Sequence, residues 1–179
     1  MNDKKNNVCK LPEKDVNEIV PGLWLGNHVS ARDKIFLDKF NIKYIINITE
    51  NVPNLFQDIK YLRFPVRDKE TCSIDTIKIF DISGRFIMNA LKNGIGVLVH
   101  CKRGHHRSAT IVAAFLMKYL KVNYITAIAY INYLRNCALR RKTCMMDGLF
   151  NYYLLLNGIK CKESKCGKVN NFFFCSCYK

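Results

Sequence analysis

The sequence predicts an α/β fold, a central mixed β-sheet flanked by α-helices. Three observations carry that prediction. Short apolar runs of strand type (Lys43 to Thr49, Tyr61 to Val66, Val97 to Val99) alternate with longer segments whose apolar residues recur at helical spacing, the order of strands separated by helices. Turn-forming residues (Pro53, Asn93-Gly94, Gly158) fall between those segments, where a chain must reverse. The chain of 179 residues is ample for one domain with a sizeable core.

Each element follows from its own residues. Residues 1–17 are rich in Lys, Asn and Asp and read as a flexible N-terminal tail, since they offer little apolar surface to bury. Trp24 with Leu23 and Leu25 forms a short strand inside Ile19–Asn27. Ser30 with Asp33 has the form of a capping box and predicts a helix to about Phe40. Lys43 to Thr49 is a continuous apolar run, as in a strand buried on both faces. Pro53 marks a loop, and the strand Tyr61 to Val66 follows. Ile74, Ile77, Phe80, Phe86, Ile87 and Leu91 repeat at helical spacing until Asn93-Gly94 stops the helix. Beyond the next strand, Ala109 to Leu120 is apolar on nearly all sides, which predicts a buried central helix. Further helices fit Tyr124–Cys137 and Met146–Leu156, with Gly158 as terminator. Residues 18–158 then form one domain, and 159–179, rich in Cys and Lys, a C-terminal tail.

The chemistry concentrates between residues 96 and 108. The strand Val97-Leu98-Val99 runs into His100-Cys101, five residues separate Cys101 from Arg107, and Ser108 opens the apolar helix. A thiol is a nucleophile only as thiolate, and a sulfur at a helix N-terminus meets unpaired N–H groups and a dipole that favour negative charge. Five residues can curl so that successive N–H groups form a nest for a phosphate dianion. Gly104 lets the backbone approach closely, and Arg107 supplies a planar fork matched to two phosphate oxygens, which lysine cannot reproduce. Ser108 can donate a hydrogen bond to the sulfur as it attacks and later leaves. The spacing alone is a weak signal, and its context of strand, His, Gly, Ser and helix is what makes it specific.

His100-Cys101-Lys-Arg-Gly-His-His-Arg107-Ser108 resembles the signature of protein tyrosine phosphatases, specifically their small dual-specificity branch. Ile19-Val-Pro-Gly-Leu-Trp-Leu-Gly-Asn27 resembles that branch's first strand, and Ile42-Lys-Tyr-Ile-Ile-Asn-Ile-Thr49 its next core strand, so the resemblance spans about residues 18–157. It implies a phosphatase-like fold with a Cys-x5-Arg phosphate loop, and hydrolysis of protein phosphomonoesters on tyrosine, serine and threonine through a cysteinyl-phosphate. The implied catalytic residues are Cys101, Arg107, Ser108 and an acid. Lys102, Arg103, Gly104, His105 and His106 join Arg107 as the implied phosphate-binding loop.

Protonation of the leaving oxygen calls for a carboxylic acid on a separate loop. Asp68, Glu70, Asp75 and Asp81 lie upstream. Asp68 falls on a strand-to-helix loop, where the carboxyl ends of strands gather around a crevice, whereas Asp75 and Asp81 fall on the following helix. The resemblance assigns the acid to Asp68, with Glu70 as runner-up. Guanidinium and backbone amides supply the charge stabilisation that a metal would otherwise provide, so the expected chemistry needs no metal and no cofactor.

A net charge of +15 raises nucleic acid, anionic membrane or acidic substrates as partners. Lys, Asn and Ile each make up about a tenth of the chain, a compositional bias that accounts for many of these charges without function. No basic stripe interleaved with aromatics marks an RNA-binding module, so nucleic acid is not expected as a partner. No run approaches membrane-spanning length. The cysteine count is odd, nine in all, Cys101 must stay a free thiol, and the polar start of the chain has no secretory pattern, which points to a reducing cytoplasm or nucleus. Cys72, near the acid, is a conceivable disulfide partner for an oxidised Cys101, an unpaired thiol being the simpler reading. Cys161, Cys166, Cys175 and Cys177 in the tail lack the paired spacing of a structural zinc site.

The anion that fits the loop divides the readings. Lys102-Arg103-Gly104 and His106-Arg107 resemble the atypical branch that acts on inositol pyrophosphates, and extra cations favour polyanionic inositol phosphates or phosphoinositides. The Pro21 to Asn27 segment, and His105 where those relatives place lysine, favour phosphorylated protein substrates, which is the reading preferred. Removal of a 5′ phosphate from RNA shares the loop chemistry. A phosphate-binding module without turnover is disfavoured, because nucleophile, arginine and acid all have candidates.

Overall fold

The computed structural model describes residues 15–67, 75–136, 138–140, 143–159, 168–169 and 172–173. Its main sheet has five strands: β1 (Val16–Val20), β2 (Leu23–Gly26), β3 (Ile42–Asn47), β4 (Lys60–Arg63) and β5 (Gly96–His100). They lie in the order β1-β2-β5-β3-β4. β2, β5, β3 and β4 run parallel, and β1 pairs antiparallel with β2 at the edge. The expected mixed sheet is therefore present. The helices are α1 (Lys34–Lys39), α2 (Thr76–Lys92), α3 (Arg107–Tyr119), α4 (Tyr124–Leu134) and α5 (Cys144–Leu156). A separate short pair, β6 (Lys168–Val169) and β7 (Phe172–Phe173), is antiparallel.

The two-residue side-chain period of a strand divides the core into two layers. Leu23, Leu25, Val97, Val99, Ile46 and Ile48 join the large cluster with residues of α2, α3, α4 and α5. Trp24, Leu98, Ile42 and Ile45 face the other way, onto Leu37 of α1. All five residues of β5 are buried, as a central parallel strand requires. Residues 107–117 of α3 are buried without interruption, which agrees with the expected central helix. Each fully buried Leu or Ile contributes about 1.5–3 kcal/mol, so this helix and β5 anchor the segment between them.

Several boundaries differ from the sequence reading, each for a local reason. The first strand is a hairpin: Gly22, at φ +80°, reverses the chain, and its N–H donates to Glu18 Oε1 at 2.8 Å. Val16 and Asn17, assigned to the tail, belong to β1. Ser30 does not cap α1, because its hydroxyl donates to Asn27 O. A 3₁₀ turn occupies Ser30–Arg32 instead, and Asp33 caps α1 by accepting from Phe36 N–H. Asp75 likewise caps α2. α4 ends at Leu134, three residues early, with Arg135 in extended conformation. α5 starts two residues early because Thr143 caps it through Met146 N–H.

Because β2, β3, β4 and β5 are parallel, the loops leaving their carboxyl ends emerge on one edge of the sheet. Those loops carry Asn27 and His28, Ile48 and Thr49, Phe64 to Arg67, and Cys101 to His106.

Candidate active site

Cys101 follows the last residue of β5 and lies at the N-terminal mouth of α3, with 3% of its surface exposed. Its sulfur accepts the Gly104 N–H and the Ser108 hydroxyl, each at 3.2 Å. Both bonds are worth more to a thiolate than to a thiol, since an anion is the better acceptor. Of the two described cysteines, Cys101 is free and Cys144 is disulfide-bonded, so the expectation of reduced cysteines holds for the first and fails for the second.

Arg107 begins α3 and is buried. Its Nη1 donates to Val66 O at 2.6 Å and to Ile48 O at 3.3 Å. The guanidinium thus reaches across from the start of α3 to the chain leaving β3 and the chain leaving β4. Arg67, next after Val66, pairs with Glu50 through Nε at 2.9 Å, which ties the end of that segment to the β3 loop.

The intervening loop residues divide by exposure. Lys102 and Arg103 are exposed, His106 is half-buried, and Gly104 and His105 are buried. Burial pushes the His105 imidazole down to about 4, helped by the charges of Arg135 and its loop neighbours, so it is neutral at physiological pH. His105 therefore does not add the cationic character expected of it. His100 is also pushed down to about 4 by burial, against a backbone hydrogen bond to Cys101. Gly104 stands at φ +71°, and a Cβ there would lie 2.5 Å from Gly26 O and 2.9 Å from Arg135 Nη2. The close approach that demands glycine is thus against the β2 end and Arg135.

Asp68, Glu70 and Cys72 lie outside the described residues. Asp81 is not at this site: it joins α2 to α3 and α5 by accepting from Lys118 Nζ at 2.6 Å and from the Tyr152 hydroxyl. Among the described residues no cluster of three or more His, Cys, Asp or Glu could hold a metal ion, and no helix is long and apolar enough to cross a membrane.

A buried thiol with two donors, a loop whose Gly104 N–H turns toward the sulfur and a guanidinium at its far end suit a tetrahedral anion attacked at its centre by sulfur. A family model described as "Dual specificity phosphatase, catalytic domain" matches residues 23–153. The chain belongs to that family. Dual specificity protein phosphatase Mpk3 of Drosophila melanogaster is 43% identical over 104 residues, 56% of this chain and 25% of that protein. Dual specificity protein phosphatase 6 of Homo sapiens is 38% identical over 109 residues, 59% of this chain and 28% of that protein. The chain thus spans about a quarter of the length of these curated relatives. Among solved structures, DUSP15 matches with a TM-score of 0.72 and 31% identity, covering 80% of this chain and 91% of that one.

Sequence reading missed three residues that bond or brace this loop. Arg135 donates from Nε to Gly104 O at 3.0 Å and from Nη2 to Arg103 O at 3.3 Å. Asn17 accepts from Arg135 Nη1 at 2.8 Å. His28 Nδ1 lies 2.8 Å from Lys102 O. None had a sequence signal, because Arg135 sat within an expected helix and Asn17 within an expected tail.

Proposed function

We propose that the chain is a metal-independent protein phosphatase acting on phosphotyrosine, phosphoserine and phosphothreonine through a cysteinyl-phosphate. The observation that carries this reading is the Cys101 sulfur, held between the Gly104 N–H and the Ser108 hydroxyl at the mouth of α3. Loop amides and the Arg107 fork bind the phosphoryl oxygens. The thiolate attacks phosphorus, the S–P bond forms as the ester P–O bond breaks, and Asp68 gives its proton to the departing oxygen. Water then attacks phosphorus and yields a proton to the ionised Asp68, and the S–P bond breaks to return the thiolate and free phosphate.

The assignment of Asp68 is supported by Arg107. The Val66 carbonyl that takes its 2.6 Å bond precedes Asp68 by two residues, which span at most about 7 Å of chain. Glu70 is two residues further. The free Cys101 thiol supports a reducing compartment, cytoplasm or nucleus, and the disulfide at Cys144 weighs against it. Protein substrates are preferred to inositol polyphosphates because His105 is buried and neutral, which leaves Lys102 and Arg103 as exposed loop cations.

Hydrolysis of p-nitrophenyl phosphate and of phosphotyrosine and phosphothreonine peptides tests the reading. Turnover is expected to survive EDTA, yield to vanadate and vanish in Cys101→Ser. Normal turnover by Cys101→Ser would end it. Asp68→Asn should slow phenyl phosphate far more than p-nitrophenyl phosphate, because only the poorer leaving group needs the proton. The same pattern in Glu70→Gln with Asp68→Asn unaffected would transfer the role.

A further inference from the structure

A loop that turns its N–H groups toward an anion turns its carbonyls away, and those carbonyls need donors from elsewhere. All four carbonyls from Lys102 to His105 have one. Lys102 O takes the His28 backbone N–H at 3.4 Å and faces His28 Nδ1. His105 O takes the Leu139 N–H at 2.9 Å. The middle two, Arg103 O and Gly104 O, are both bonded by Arg135.

Arg135 is 0% exposed, so it has no surface to offer a substrate. A buried guanidinium is retained only where its donors are met, and here two meet the loop while Nη1 meets Asn17 on β1. Burial lowers its pKa from the ordinary arginine value, and the nearby charges of Cys101 and Asp15 counter that. The Arg103 carbonyl it bonds shares a peptide plane with the Gly104 N–H that meets the Cys101 sulfur. A donor on one end of a peptide unit strengthens the donor at the other.

We propose that Arg135 is a positioning residue of the phosphate loop. It fixes the Arg103–Gly104 and Gly104–His105 peptide planes with their N–H groups toward the anion, and it acts on Cys101 through the Gly104 amide. The loop is then preorganised before substrate arrives, which is where electrostatic catalysis has most effect. This inference rests on the phosphatase reading and adds to it a group that touches neither substrate nor sulfur.

The test compares Arg135→Met, Arg135→Lys and the control Arg140→Met in the full chain. Activity is expressed per folded molecule, with the folded fraction taken from near-ultraviolet circular dichroism. Arg135→Met should lower kcat/KM by about 100-fold, as loss of one preorganising group does. It should also weaken vanadate inhibition by about tenfold, the share of one charged hydrogen bond. Arg135→Lys should recover part of both, since an ammonium can serve one of the two carbonyls. Arg140 is exposed and bonds Asn132 and Asn136, so Arg140→Met should stay within about twofold.

An Arg135→Met protein that loses melting temperature alone, with kcat/KM and vanadate affinity per folded molecule unchanged, overturns the proposal. Should that variant not fold, Asn17→Ala is decisive, because it releases one arm of the guanidinium without orphaning a loop carbonyl. Weaker vanadate binding supports the proposal, and unchanged binding overturns it. A wild-type protein that binds vanadate without turnover removes the enzyme reading alone, and Arg135 is then judged on vanadate affinity by calorimetry. Failure of the wild type to bind vanadate removes both.

Discussion

Arg107 donates to the carbonyl of Val66 at 2.6 Å, a bond that spans from the phosphate loop to the segment leaving β4. The same nitrogen lies 3.3 Å from Ile48 O. One side chain therefore holds three of the four loops that emerge at the carboxyl edge of the parallel strands. A residue singled out in the sequence for its fit to phosphate oxygens also bonds the segments leaving β3 and β4.

That double duty predicts a severe Arg107→Lys defect. Lysine keeps the charge and loses the fork, so it cannot bond two carbonyls or two phosphate oxygens in plane. We expect kcat/KM for p-nitrophenyl phosphate to fall by about 1,000-fold, the upper end for one lost oxyanion donor. A Lys variant within tenfold of wild type would show that the charge alone suffices.

Ser108 makes a different prediction, because its hydroxyl meets the sulfur rather than the phosphoryl group. Ser108→Ala removes a hydrogen bond to the thiolate as leaving group, a loss of about 1.5–3 kcal/mol. Breakdown of the cysteinyl-phosphate should become the slow step, with kcat down about tenfold to hundredfold. Rapid-quench or stopped-flow measurement should then show a burst of p-nitrophenolate ahead of slow turnover. A slow variant without a burst would place the defect in the attack step instead.

The sequence was legible where one residue type serves one purpose. Val97 to Val99 read as a buried strand and Ala109 to Leu120 as a buried helix, and the expected contact of the Ser108 hydroxyl with the Cys101 sulfur is present at 3.2 Å, because burial constrains those positions. Helix ends were less legible: Ser30 and Asp33 are both good capping residues, and the Asn27 carbonyl that claims Ser30 is a backbone group. Arg135 was illegible in principle. An arginine at a helix end is ordinarily a solvated cation that suits the dipole, and its burial depends on a loop 31 residues earlier in sequence.

Gly104 and Gly94 offer a paired experiment on loop geometry. Their φ angles are +71° and +67°, so alanine suffers the same backbone strain at either, about 1 kcal/mol. Space separates them. A Cβ at Gly94 meets nothing within 4 Å, whereas at Gly104 it meets Gly26 O at 2.5 Å. Gly94→Ala should cost about 1 kcal/mol in urea unfolding and leave kcat/KM unchanged. Gly104→Ala should cost a further 1–3 kcal/mol or so by overpacking and abolish most activity, because Gly26 O and Arg135 cannot yield without moving the loop. Equal effects from the two variants would mean that the loop has room to relax.

The two buried histidines set the acid limb of stability. His100 and His105 each titrate near 4 in the folded protein, pushed down from 6.5 by burial. The unfolded chain therefore takes up protons first as the pH falls. Stability rises with pH wherever the unfolded state binds more protons, so the neutral histidines favour the fold fully above about pH 6.5 and lose that advantage between 6.5 and 4. At pH 5 the loss is about 2 kcal/mol for each such histidine. The urea midpoint should hold steady from pH 8 to 7 and fall between pH 6.5 and 5. His105→Leu should flatten part of that fall, since it removes one titrating group from a site that is already buried. An unchanged midpoint down to pH 5 would show that both imidazoles find proton acceptors on charging, and that the phosphate loop is less dry than its burial implies.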